Sequence, residues 1–234
     1  MTNMNEFDLT IITISLNADQ SLLNTWNSLD PFLSRGVNWI VVLTNKPHNI
    51  DYLEKAHLIA GQDKNLYNAL NIGLQNVRTK YFMFIHSGDQ LINSSGFVNS
   101  YNLIEDNNLD LVLGGQLIGN RRHLSKKWSP WMFNFDVQPP HLPIIYLTSF
   151  VASNKFNESI PVIADFYMLK NLFKLKPNFL HSGEVYIRME QGGLTSSGIS
   201  SFFFVTKQFI KVNNNVTLTY LKSILRLTIK LIIK

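Results

Sequence analysis

Short runs of β-branched and aromatic residues punctuate the chain, and each stops at a cluster of polar, turn-forming residues. Leu9 to Leu16 is bounded by Asn17-Ala18-Asp19, Trp39 to Thr44 by Asn45-Lys46-Pro47, and Tyr81 to Ile85 by His86-Ser87-Gly88-Asp89. Apolar runs of this length, closed by turn residues, predict buried strands. Between them the spacing changes to that of a helix. Leu22, Leu23, Trp26 and Leu29 mark Ser21 to Leu33, and Leu66, Ala69, Leu70, Gly73 and Leu74 share one face of Leu66 to Val77. Strands alternating with helices predict an α/β fold with a mainly parallel, doubly wound central sheet flanked by helices. Downstream, Ile92 to Asn108 reads as a helix, Leu109 to Gly115 as a short strand and Asp165 to Leu175 as a helix. Glu184 to Met189 reads as a strand running into Gly192-Gly193, and Arg121 to Pro143 as irregular structure.

The C-terminal stretch has a different rhythm. Lys222, Arg226, Lys230 and Lys234 share one helical face, while Leu221, Ile224, Leu225, Thr228 and Ile232 lie opposite. This predicts a domain over residues 1–206, then a linker and a basic amphipathic helix over 207–234. Four cations argue against a spanning helix and for one lying on an anionic bilayer surface; the alternative is a terminal helix packed on the domain or on a partner subunit.

Composition narrows the classes. With 234 residues, 45% hydrophobic and 16% charged, the chain can bury a substantial core and is not a disordered polymer. Its net charge of +5 favours an anionic partner: nucleic acid, anionic lipid or a phosphorylated substrate. Arg121-Arg122 with Lys126-Lys127 makes no nucleic-acid motif, so no nucleic-acid partner is expected. The absence of cysteine excludes disulfides and thiolate metal sites. No basic n-region precedes the first apolar run, and no segment is apolar for the roughly 18 residues of a spanning helix. The expected location is cytoplasmic, peripheral at the inner face of the plasma membrane. His48, His57, His123 and His181 have no metal-ligand spacing.

Parallel α/β sheets bind ligands beyond the carboxyl ends of their strands. Three polar clusters end strands here: Ser15 with Asn17, Thr44 to Lys46, and His86 to Asp89. Of these only the last carries a carboxylate, and a hard divalent cation bearing a diphosphate takes one or two carboxylates from protein. Gly88 would let the backbone bend close to such a ligand. The plain alternative is that Ser87-Gly88-Asp89 is a turn.

In order, "LTIITISLN", "WIVV", "QDKNLYNALNIGL", "YFMFIHSGD", "PPHLPIIYLTSF", "IADFYMLKNLF" and "MEQGGLTS" cover residues 8 to 200. Together they resemble the family 2 glycosyltransferases of bacterial surface-polysaccharide type, which have the GT-A fold. The resemblance implies an inverting enzyme of the hexosyltransferase class. It would move a sugar from a nucleotide-sugar donor to a saccharide or lipid-linked saccharide acceptor, in surface-polysaccharide or lipopolysaccharide biosynthesis. Asp89 would hold Mn²⁺ or Mg²⁺ against the donor diphosphate, and Asp165 would be the general base for the acceptor hydroxyl. Thr13, Ser15, Asn17, Asp63, Ser87 and Gly88 would border the nucleotide sugar, with Lys64 on a phosphate. His141 would contact acceptor or diphosphate, and Gly192 with Gly193 would form a flap. Each has a structural alternative: Asp165 as a helix N-cap, the strand-end hydroxyls and Asn17 as routine caps, Lys64 as a solvated lysine, His141 and the glycines as turn residues. Asn71 is expected to pack or cap a helix.

Two departures from the family pattern stand out. Leu43-Thr44-Asn45-Lys46 has no carboxylate where the family carries an acid on the nucleoside, so that Asn45 or Asp63 would have to substitute. Ser87 stands where a fuller acidic motif has its first aspartate. A catalytically degenerate GT-A protein that binds nucleotide sugar or scaffolds an assembly complex is therefore a second reading. A nucleotidyltransferase is disfavoured, because no Gly-rich, Lys/Arg-bearing phosphate loop lies near the N-terminus.

Overall fold

The computed structural model describes residues 7–47, 50–160, 162–190, 198–213 and 216–232. Its first half is a parallel sheet built from the apolar runs. β1 (Leu9–Ser15) pairs with β2 (Asn38–Leu43) on one side and β4 (Tyr81–Phe84) on the other, and β3 (His57–Ala60) extends the sheet beyond β2. Ile12 sits level with both Ile40 and Phe84. These strands carry little alternation because both faces are covered, as parallel sheets require. α2 (Leu66–Gln75) lies against β1 and β2, and Gly73 permits the approach, since a Cβ there would meet Ile12 Cγ2 at 2.5 Å. α1 (Gln20–Leu33) is capped by Asp19, whose carboxylate accepts from the backbone N–H groups of Ser21 and Leu22.

The second half mixes directions. β8 (Ile144–Leu147) runs antiparallel between β4 and β6 (Leu111–Ile118), while β9 (Phe179–Met189) is parallel to β6. The two-residue β5 (Gln90–Leu91) pairs antiparallel with β9, and β7 (Arg121–Leu124) antiparallel with β6. The sheet order is β3-β2-β1-β4-β8-β6-β9-β5, with β7 off this path. α3 (Ser94–Asp106) packs on β6 and β9, the single turn α4 (Thr148–Val151) follows β8, and α5 (Ala164–Lys174) precedes β9. Parallel pairing is thus confined to the first four strands and to β6 with β9. Residues 121–143, expected to be irregular, contain β7 and two 3₁₀ turns, Ser125–Lys127 and Pro130–Phe135. β7 is basic and largely exposed, so pairing with β6 rather than an apolar pattern makes it a strand.

The chain closes with α6 (Gly198–Asn213) and α7 (Val216–Ile232), packed on each other, with α7 also against the Pro130–Phe135 turn. α6 runs without a break across the boundary expected between residues 206 and 207. Of the cations expected to share one face, Lys222 is half-buried and Arg226 turns inward. Arg226 is 4% exposed, donates to Thr206 Oγ1 at 3.2 Å, stacks over the Phe209 ring at 5.2 Å and lies in the field of Asp136. Leu218, Leu221, Ile224 and Leu225 face outward instead, with Ile224 58% exposed. The side chains of Lys230 and Lys234 lie outside the described residues. Among the described residues, no helix is long and apolar enough to cross a membrane.

Candidate active site

Backbone hydrogen bonds carry the parallel ladders past their strands and gather the polar ends into one crevice. Thr44 N donates to Ser15 O (3.0 Å), Asn45 N to Leu16 O (3.1 Å) and Ser87 N to Ile14 O (3.2 Å). Ser15 Oγ donates to Asn17 O, and Asn45 Nδ2 to Asn17 Oδ1, both at 2.7–2.8 Å. Thr44 Oγ1 donates to Asp63 Oδ2 at 2.8 Å, while Asp63 Oδ1 is shielded from solvent without a partner. The Asp63 carboxylate therefore sits at the end of β2, where Leu43 offers none and is fully buried. Thr13 does not reach this crevice. It is 0% exposed, and its hydroxyl accepts from Trp39 Nε1 at 2.9 Å, because its side chain projects into the core one residue pair before the strand end. Lys64 is exposed and its charge acts on Glu158. Asn71 has the packing role expected of it, exchanging two hydrogen bonds of 3.0 Å with the Phe156 backbone.

The loop after β4 is held from α1. Gly88 N donates to Ser21 O (3.1 Å) and Thr25 Oγ1 (3.0 Å), and Thr25 Oγ1 donates to Asp89 O (2.8 Å). Gly88 has φ +91°, a conformation that disfavours any side chain. Asp89 is 5% exposed, and its two carboxylate oxygens accept from different backbone groups, Oδ1 from Glu190 N (2.9 Å) and Oδ2 from His86 N (3.3 Å). Burial, with the Glu190 charge adding to it, pushes this carboxyl up to about 7 against the pull of the two N–H bonds. Turning Asp89 outward would break both of these partly buried hydrogen bonds, at about 0.5–1.5 kcal/mol each.

A second cluster forms where α5 meets the same loop. Asp165 is in the first turn of α5 but is not its cap: that position is Ile163, and no side chain caps the helix. Instead Asp165 Oδ1 accepts from Tyr67 Oη (3.3 Å), Oδ2 accepts from Gln138 Nε2 (2.7 Å), and His141 Nδ1 lies 3.9 Å from Oδ2. The His141 ring is 5.8 Å from that of His86, whose Nδ1 is shut off from solvent without a partner. Burial and then the neighbouring His141 lower His86 to about 3; burial also lowers His141, with Asp165 opposing. A neutral imidazole, His141, with His86 behind it, thus borders a carboxylate that has spare lone pairs and a partly open face, the requirements of a proton acceptor.

The structure brings Ser15, Asn17, Asp63, Ser87, Gly88, His141 and Asp165 to the strand-end face of the sheet, and it leaves Thr13 in the core. Gly192 and Gly193 lie outside the described residues. Tyr67, Gln138 and Glu190 have no place among the sequence-based candidates. No local pattern marks the first two, whereas Glu190 stands inside "MEQGG", beside the glycines that drew attention.

The donors of the β4 loop suit Mn²⁺ or Mg²⁺ in one arrangement. Ser87 Oγ is shielded without a partner, and a Cβ built on Gly88 would overlap Glu190 Oε2, so an oxygen-bearing side chain already fills that place. Hard cations prefer such oxygen donors and need few from protein when phosphates complete the shell. Among the described residues no three His, Cys, Asp or Glu side chains converge as a metal cage.

No protein-family model matches the chain, and no curated protein matches it. Solved structures do. S. aureus TarS 1–349 in complex with UDP aligns with TM-score 0.64 at 14% identity, over 94% of this chain and 71% of that one. The mannosyltransferase PcManGT from Pyrobaculum calidifontis, in complex with GDP-Man and Mn²⁺, aligns with TM-score 0.65 at 11% identity, over 89% of this chain and 64% of that one. Glucosyl-3-phosphoglycerate synthase from Mycobacterium tuberculosis, with Mn²⁺, UDP and phosphoglyceric acid, aligns with TM-score 0.59 at 14% identity, over 87% and 77%. The fold shared with these proteins is the GT-A fold.

Proposed function

We propose that the chain is an inverting, metal-dependent glycosyltransferase that moves a sugar from a nucleotide-sugar donor to a saccharide or lipid-linked saccharide acceptor. The observation that carries this reading is the Asp165 cluster. A carboxylate far along the chain is held by Tyr67 and Gln138 beside His141, whose ring neighbours that of His86 in the loop after β4. Asp165 would take the proton of the acceptor hydroxyl as that oxygen attacks the anomeric carbon from the face opposite the leaving group. Tyr67 and Gln138 would orient it. Asp63, through its unpartnered Oδ1, would accept from the nucleoside in place of the acid missing at Leu43. Mn²⁺ or Mg²⁺ at the β4 loop would offset charge on the departing nucleoside diphosphate.

A bacterial surface polysaccharide or lipopolysaccharide suits an acceptor at a membrane. The outward Leu218, Leu221, Ile224 and Leu225 support placing α7 apolar side down on an anionic bilayer. Leu221→Glu with Ile224→Glu should then release the protein from anionic vesicles, and unchanged binding would refute the membrane contact. A degenerate binder or scaffold is the second reading, favoured by the buried Leu43 and the inward Asp89. Transfer and hydrolysis measured over a nucleotide-sugar panel, with Mn²⁺ and with chelator, separate the two: turnover supports the enzyme, and binding without turnover the scaffold.

A further inference from the structure

Position 88, in the loop after β4, carries no side chain. Gly88 is at φ +91°, and any Cβ there would overlap Glu190 Oε2. The volume that a residue at 88 would fill is thus taken by a carboxylate delivered from the far end of β9. That delivery is anchored: Glu190 N donates to Asp89 Oδ1 at 2.9 Å, and Ser21 Oγ donates weakly to Glu190 Oε1 at 3.4 Å. Glu190 is exposed, whereas Asp89 is buried with each oxygen engaged by a backbone N–H. Neither carboxylate forms an ion pair among the described residues. Beside them, Ser87 Oγ lacks a partner among the described residues.

We propose that Glu190, rather than Asp89, is the carboxylate that binds the divalent cation, substituting in space for the side chain absent at Gly88. Ser87 Oγ is a neighbouring oxygen donor, and waters with the two phosphates of a nucleoside diphosphate complete the shell, as such cations allow. Asp89 is the structural anchor that ties the end of β9 to the β4 loop and so sets Glu190 over Gly88. The proposal rests on the donor-site reading above and deepens it.

The test is binding rather than turnover. UDP and GDP are titrated calorimetrically into the full chain with Mn²⁺ and with chelator, and Mn²⁺ binding is followed separately by electron paramagnetic resonance. Wild type should bind one of the nucleotides at least tenfold more tightly with Mn²⁺. Glu190→Gln should lose that gain and most Mn²⁺ binding, while keeping the wild-type melting temperature and its chelator-resistant nucleotide affinity. Asp89→Asn should lower the melting temperature and retain part of the Mn²⁺ gain. An unchanged Mn²⁺ gain in Glu190→Gln, or its abolition in Asp89→Asn at full thermal stability, overturns the assignment. Equal wild-type binding with Mn²⁺ and chelator overturns it while leaving the donor site standing; no binding of either nucleotide overturns both.

Discussion

The loop after β4 and the first turn of α5 each present an aspartate to the same end of the sheet, and they use it differently. Asp89 is clamped by two main-chain N–H groups and is buried. Asp165 is gripped by two side chains and stays half-buried beside a histidine. Backbone amides cannot move aside without unmaking the fold, so a carboxylate they satisfy is committed to structure. Side-chain donors can exchange for a substrate hydroxyl at little cost, and a carboxylate they hold remains available for chemistry. The kind of donor, more than the residue type, separates the two roles.

That contrast can be broken most forcefully at Asp165. Asp165→Asn should leave nucleotide binding intact and lower transfer by about 10²- to 10⁴-fold, the usual contribution of a general base. A near-normal rate would place the base elsewhere. Asp89→Ala should act on the fold instead. Two partly buried donors lose their acceptor, and stability to denaturant should fall by about 1–3 kcal/mol; a melting curve like that of wild type would sink the structural role. Tyr67→Phe removes one of the donors to Asp165 and should slow transfer by about tenfold, a change of ~1.4 kcal/mol, with unchanged donor affinity. A larger loss of affinity than of rate would mean that Tyr67 serves the fold.

The subtlest test uses pH. His86, with its ordinary value of 6.5 lowered to about 3, stays neutral in the folded protein while the unfolded chain protonates. Its contribution to stability therefore rises with pH between about 3 and 6.5. Asp89, raised from 3.8 to about 7, stays protonated when folded while the unfolded chain ionises, so its contribution falls as pH rises across that window. The two slopes oppose each other between about pH 4 and 6.5, each at most ~1.4 kcal/mol per pH unit. Asp89→Asn should steepen the rise of stability with pH in this range, and His86→Asn should turn it downward. Identical profiles for both variants would show that neither group is held as the structure has it.

The legible parts of the molecule were those whose information is local. β1, β2 and β4 announce themselves because a strand covered on both faces must be apolar throughout, and α1 and α2 because one face must repeat at helical spacing. β8 was harder: "IIYL" is brief and follows a proline-rich stretch, and it is a strand because β4 and β6 flank it. The tail shows that periodicity places a helix without saying what each of its faces meets. The helix is where the spacing puts it, but Arg226 turns inward to Thr206 and Phe209 because α6 and the Pro130–Phe135 turn offer it a polar and aromatic seat.

Within the site, the sequence alone determined that polar residues end the parallel strands, that a glycine precedes Asp89, and that a carboxylate opens α5. Only the tertiary structure decided which of these face the crevice. Tyr67 reaches Asp165 across 98 residues, and Glu190 reaches Asp89 across 101. Hydrophobic spacing records how each segment meets the core. It carries no record of which distant donor will meet a given carboxylate, because that depends on the path of the whole chain. The vacancy at Gly88 was visible as a letter, and its filling by Glu190 became visible when β9 was laid beside the loop.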